Sequence, residues 1–186
     1  MKQKIKNISL KTHIWVCIVP MVILFMLMTF ILIPGLQQLS GNMQLLDTMF
    51  KGYDGAYVHQ LFEKLQNNGK RAYLSLELYA DVPFIFLYMI TFTISIAKLL
   101  VRNGLWNSVI YYSLFFPICA GVFDLGENIG IITMLSLKKN IPESVVKLAS
   151  YNTILKGYFL PLTLITLFSQ LVIIGYRRLI SRSKNM

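Results

Sequence analysis

Residues Ile14 to Pro34 read IWVCIVPMVILFMLMTFILIP, 21 consecutive positions without a charge. An α-helix rises about 1.5 Å per residue, so such a run covers the roughly 30 Å hydrocarbon core of a bilayer. Lys2, Lys4, Lys6 and Lys11 precede it. A basic start before an apolar run is also the pattern of a signal peptide. This run is too long for one, and no small-residue cleavage site follows, so a retained helix is expected. Pro20 is expected to bend it.

Three further segments follow the same logic. One runs from about Ala72 to Ala97. Its strictly uncharged part, Val82 to Ala97, is short for a crossing, which puts Glu77 and Asp81 at the edge of the apolar zone. The next lies between Arg102 and Lys138, interrupted only by Asp124 and Glu127. At about 50 Å it exceeds a bilayer core, so the helix must tilt, bend or protrude, with Pro117 as the natural bend point. The last begins near Ser150 and reaches Tyr176, with Arg177, Arg178, Arg182 and Lys184 directly behind it. The expectation is an all-α bundle of four transmembrane helices over residues 14–34, 72–97, 106–137 and 150–176. They form a single membrane domain over 1–186, with an outer loop over 35–71. Within that loop, Asp54 can cap a short helix ending at Asn67-Asn68-Gly69. Val58, Leu61, Phe62 and Leu65 give this helix one apolar face, suited to the membrane surface or to the mouth of the bundle.

Composition agrees. Only 14% of the 186 residues are charged, against about 25% in soluble domains. The net charge of +10 does not point to nucleic acid, because the basic residues flank apolar runs instead of forming one stripe. They are read as topology anchors and contacts to anionic head groups. An even number of crossings puts both termini on one side with Lys98 and Arg102. That side then carries ten basic residues and no acidic one, and the other side holds the remaining eight of each. The positive-inside rule makes the first side cytoplasmic and the location a plasma membrane. Cys17 and Cys119 lie singly in apolar runs and read as small core residues. His13 and His59 fall on opposite sides and cannot share a metal. Motifs for a Ser-His-Asp hydrolase, a His-Glu-x-x-His zinc enzyme or a phosphate loop are absent.

The ionisable residues within the apolar segments carry what function the sequence offers, since a charge in hydrocarbon costs several kcal/mol unless paired or hydrated. Asp124, Glu127 and Asn128 lie at i, i+3 and i+4 on one helix face. Asp81 and Lys156 fall at a similar depth on their own helices, with Arg71, Glu77 and Asn152 as candidate rim residues. Three carboxyls against one ammonium leave a surplus that a bound proton, a cation or a hydrated cavity must offset. Asp81, Asp124 and Glu127 are therefore the candidate ligands for a divalent cation. The alternative is a structural network in which Lys156, the carboxylates and an Asn fix helix register. Gly126 and Gly130 form a small-xxx-small pair suited to close helix approach. Pro161 leaves the carbonyl of Gly157 without its helical donor.

Gly69-Lys70-Arg71-Ala72-Tyr73-Leu74, Asp81 with Pro83, Phe123-Asp124-Leu125-Gly126-Glu127-Asn128 and Leu155-Lys156 resemble a group of small four-helix bacterial membrane proteins. The resemblance spans Asp54 to about Pro161, with Asp-x-x-Glu-Asn as its most specific element. It implies a multi-pass bacterial protein whose signature coincides with the polar cluster, and it supplies no substrate. The order of one long outer loop and four helices also resembles claudins, but the Trp and paired Cys of the claudin loop are missing. The expected function is non-enzymatic binding of a small cation, a lipid head group or a protein partner by Asp81, Asp124, Glu127, Asn128 and Lys156. The partners expected are the lipid bilayer and either another membrane protein or further copies of this chain. Two alternatives are an intramembrane enzyme acting on a lipid or isoprenoid, and a proton- or cation-coupled transporter working as an oligomer.

Overall fold

The computed structural model describes residues 2–137 and 140–183, with side chains to residue 180. Lys138 and Lys184, both used in the sequence reading, lie outside the described residues, as does the side chain of Arg182. The chain forms α1 (Lys2–Lys11), α2 (Trp15–Leu27), α3 (Ile33–Leu39), α4 (Gly55–Leu76), α5 (Val82–Arg102), α6 (Phe115–Ser136) and α7 (Glu143–Ser183). Among the described residues, four helical stretches are long and apolar enough to cross a membrane: Trp15–Leu39, Gly55–Arg102, Val109–Ser136 and Glu143–Ile180. The protein is an all-α, four-span bundle and a multi-pass membrane protein.

Two of these stretches contain π-helical turns, Met28–Leu32 and Glu77–Asp81. Each is followed, after one intervening residue, by a proline, Pro34 or Pro83. In a regular helix the proline ring collides with the carbonyl four residues earlier and gives it no donor. Those carbonyls belong to Phe30 and Tyr79, each inside a π-turn. Widening the turn relieves the collision without ending the helix. The second π-turn is the one that presents Glu77 and Asp81, both buried.

Several sequence-based boundaries move. The outer helix does not stop at Asn67-Asn68-Gly69. Asp54 caps it as expected, its carboxylate accepting from the Tyr57 N–H at 2.8 Å. The break falls at Gln66 (φ 51°, ψ −164°), and helix resumes at once into the second span. The left-handed φ of Gln66 is strained for a residue with a side chain. On one side of it Val58, Leu61, Phe62 and Leu65 are buried with Leu45, Leu46, Ile131, Met134, Val146 and Ala149. That apolar face therefore covers the mouth of the bundle. The outer segment, counting this helix, is correspondingly shorter, 40–66, because α3 runs to Leu39 and residues 67–71 are helical.

The third span also starts differently. A 3₁₀ segment, Val109–Leu114, leads into α6. Pro117 sits in the first turn of α6, where a missing N–H has no intrahelical partner to lose, so it starts the helix and does not bend it. The fourth helix begins seven residues before Ser150, at Glu143, and runs for 41 residues, about 60 Å. It continues through Pro161.

The bundle has two distinct ends. At the termini end, Ile5 of α1 packs against Ile96, Ala97, Leu100, Trp106 and Leu114. There Lys98 donates to the Thr12 carbonyl at 2.5 Å. Asn103 donates to the carbonyl and the side-chain oxygen of Gln170, and Arg177 donates to the Asn103 carbonyl. At the loop end, the Tyr53 N–H donates to Ser150 Oγ at 2.8 Å, pinning the loop to α7. Between the ends, α6 and α7 share the most extensive contact, and α2 packs mainly on α5.

Candidate functional site

Six charged side chains are buried among the described residues: Asp47, Glu77, Asp81, Asp124, Glu127 and Lys156. All six belong to one cluster beneath the loop end. Lys156, on α7, is its single cation. Its ammonium donates to Asp124 Oδ1 and to Glu127 Oε2, each at 2.7 Å. The i, i+3 spacing on α6 brings both carboxylates to the face that meets α7. Their outer oxygens are also held. Tyr88 on α5 donates to Asp124 Oδ2 at 2.8 Å, and Thr153 on α7 donates to Glu127 Oε1 at 2.6 Å. Asn128, one residue further on α6, donates to Asp81 Oδ2 at 2.6 Å. Spans two, three and four are thus tied together by charge-assisted hydrogen bonds, the stronger kind.

The close approach that allows this is built from glycine. A Cβ on Gly130 would stand 2.5 Å from Ala149 Cβ, and one on Gly126 would stand 2.9 Å from the Asn152 amide nitrogen. Both glycines let α6 and α7 approach within reach of a single lysine side chain.

The structure brings together Asp81, Asp124, Glu127, Asn128 and Lys156. Two of the three rim candidates do not join them. Arg71 is exposed. Asn152 donates to the Leu148 carbonyl of its own helix and packs against Gly126. Glu77 is not at a rim: it is fully buried, and neither of its carboxylate oxygens has a hydrogen-bond partner. It lies in the π-turn with its side chain inside the bundle, whereas Arg71 is exposed.

Two loop residues that sequence reasoning passed over complete the cluster. Asp47, from a 3₁₀ turn at Leu46–Thr48, accepts a hydrogen bond from the buried Tyr73 hydroxyl at 2.9 Å, and that hydroxyl accepts from the Leu46 N–H. Burial pushes the Asp47 carboxyl above its usual range, and the nearby Lys156 ammonium opposes the shift without overcoming it. Burial likewise raises the Tyr53 phenol, with the Glu127 carboxylate adding to the effect. No local spacing marks Asp47, because it reaches the cluster by the path of the loop. Thr153 and Tyr88 carried a fainter signal. Thr153 lies three residues before Lys156 on the same face of α7, and Tyr88 lies seven after Asp81.

Among the described residues no group of three His, Cys, Asp or Glu side chains is arranged to hold a metal ion. Of the three candidate ligands, Asp124 and Glu127 are directed at Lys156, and Asp81 is bonded to Asn128. The divalent-cation expectation therefore has no ligand set here.

Beside the cluster lies a cavity of about 330 Å³ between α2 and α7. Its walls are apolar, including Met21, Val22, Phe25 and Leu164, and Asp81, Asp124 and Lys156 form its polar end. Such an arrangement suits a molecule that is apolar along its length and polar at one tip. No family model matches this chain, and no curated protein or solved structure matches it either.

Proposed function

We propose that this is a binding protein of the plasma membrane, with both termini cytoplasmic, that receives an amphipathic molecule dissolved in the bilayer. The observation carrying this reading is the cavity between α2 and α7, apolar along its walls and closed at one end by Asp81, Asp124 and Lys156. The orientation follows from the Lys and Arg bias of the segments flanking the spans. Both oxygens of Asp124 already accept hydrogen bonds, whereas Asp81 accepts one, from Asn128. The second Asp81 oxygen is the acceptor left for a ligand. A head group bearing a hydroxyl or an amine, and so a hydrogen-bond donor, fits this end better than a phosphate. Engagement of Asp124 and Glu127 by Lys156 favours binding over the lipid-enzyme reading, which needs a free general acid or base.

The test is extraction in native lipid discs followed by mass spectrometry of the accompanying molecules. Wild-type protein should enrich a defined amphiphile over the bulk membrane. Val22→Trp, which fills the cavity from the lipid-facing helix, should abolish the enrichment. A lipid profile identical to the bulk membrane in both chains overturns the reading.

A further inference from the structure

Among the described residues, Glu77 is the one carboxyl with both oxygens buried and without a partner. It is completely buried, and both carboxylate oxygens lack a donor. An ionised carboxylate in that state loses its hydration with nothing in return, a penalty of several kcal/mol. The charged groups acting on it from the packed elements are Asp47 of the loop, Asp81 of its own π-turn, Glu127 of α6 and Lys156 of α7. Three of these four are acidic, and the ammonium is already shared by Asp124 and Glu127. Asn128 Oδ1, a buried acceptor on the neighbouring helix, also lacks a partner. Both Glu77 oxygens are therefore without a donor, and among the described residues the acids do not form a metal-holding set.

We infer that Glu77 is a proton-binding site, loaded from the loop end through Asp47 and delivering toward Asp81 at the cavity. A single proton removes the charge and converts one Glu77 oxygen from an unmet acceptor into a donor. It is also the only ligand that needs no space. Asp47, on the loop's 3₁₀ turn and bonded to Tyr73, is one of the acids close enough to act on Glu77. Asp81 lies four residues beyond Glu77 on the same π-turn and lines the cavity. Both are buried carboxyls able to accept and release a proton in turn. The proposal is independent of which amphiphile the cavity takes.

The experiment is infrared difference spectroscopy of the full chain in lipid at neutral pH, wild type against Glu77→Gln, in H₂O and D₂O. The wild type should show a carboxylic-acid C=O band above the amide I region that is lost in Glu77→Gln and shifts down on deuteration. Asp47→Asn should keep the band and slow its shift. Loss of a carboxylate band in Glu77→Gln instead would mean an ionised group with a bound cation, and overturns the proposal. So does an acid band that never shifts in D₂O, or an Asp47→Asn chain that exchanges at the wild-type rate. Because the amide is the neutral isostere, a Glu77→Gln chain that fails to fold counts against it equally.

Discussion

Lys156 Nζ lies 2.7 Å from Glu127 Oε2, and Glu127 has no exposed surface at all. A buried pair of this kind gains little over two well-packed apolar residues, but removing one member leaves the other charged in a poor dielectric. The same ammonium holds Asp124, so its removal strands two carboxylates at once.

Lys156→Met is accordingly expected to lower stability by about 3–5 kcal/mol, read from unfolding in mixed detergent micelles. Adding Asp124→Asn and Glu127→Gln to that chain should recover most of the loss, since no stranded charge remains. Equal stability of the single and triple variants would show that the three side chains do not form one buried network.

The two glycines of α6 should behave differently when replaced by alanine. At Gly130 the new Cβ meets Ala149 Cβ at 2.5 Å and the Ala149 Cα at 3.3 Å, so the helices themselves must separate. A loss of about 1–3 kcal/mol is expected. At Gly126 the new Cβ meets only the end of the Asn152 side chain. That side chain can rotate, and alanine brings up to about 1 kcal/mol of helix propensity, so the change should be near neutral. Thermal unfolding of both variants checks the order, and a Gly126→Ala loss larger than the Gly130→Ala loss contradicts it.

Asp47 gives the pH dependence. Its carboxyl is held above its usual range by burial, so the folded chain binds this proton more tightly than the unfolded one. The stabilisation is fully present below the unfolded value of about 3.9. It declines as pH rises from there through the raised folded value. The unfolding temperature of the wild type should fall across that window, and Asp47→Asn should flatten the fall. An identical slope in both chains would remove Asp47 from this role.

How much of this was legible beforehand varied by element. The uncharged runs around Ile14–Pro34 and Val82–Ala97 gave the crossings, because lipid demands length and apolarity over a whole segment, and both are local properties. The face made by Asp124, Glu127 and Asn128 was legible for the same reason, since helical spacing alone aligns them. The apolar face of Val58, Leu61, Phe62 and Leu65 was legible too, although what it covers was not. Boundaries suffered where backbone geometry departs from the regular helix. Gln66 takes a left-handed conformation that its identity does not announce. Pro83 is met by a wider turn that leaves the helix continuous, and no local pattern marks that turn. Distance from the nearest charge-free run places Glu77 at the rim, whereas the structure buries it completely within the π-turn.

The sequence by itself determined that four helices cross a bilayer, and which residue types within them had to find polar partners. Only the tertiary structure decided which partners those were. Whether Asp124 meets Tyr88 and Lys156 depends on how each helix is rotated about its own axis and how closely glycine lets its neighbour approach. Whether Asp47 joins the cluster depends on the path of a loop pinned by Ser150. Rotation, approach and loop path are set by packing among all the spans together, so no single stretch of the chain encodes them.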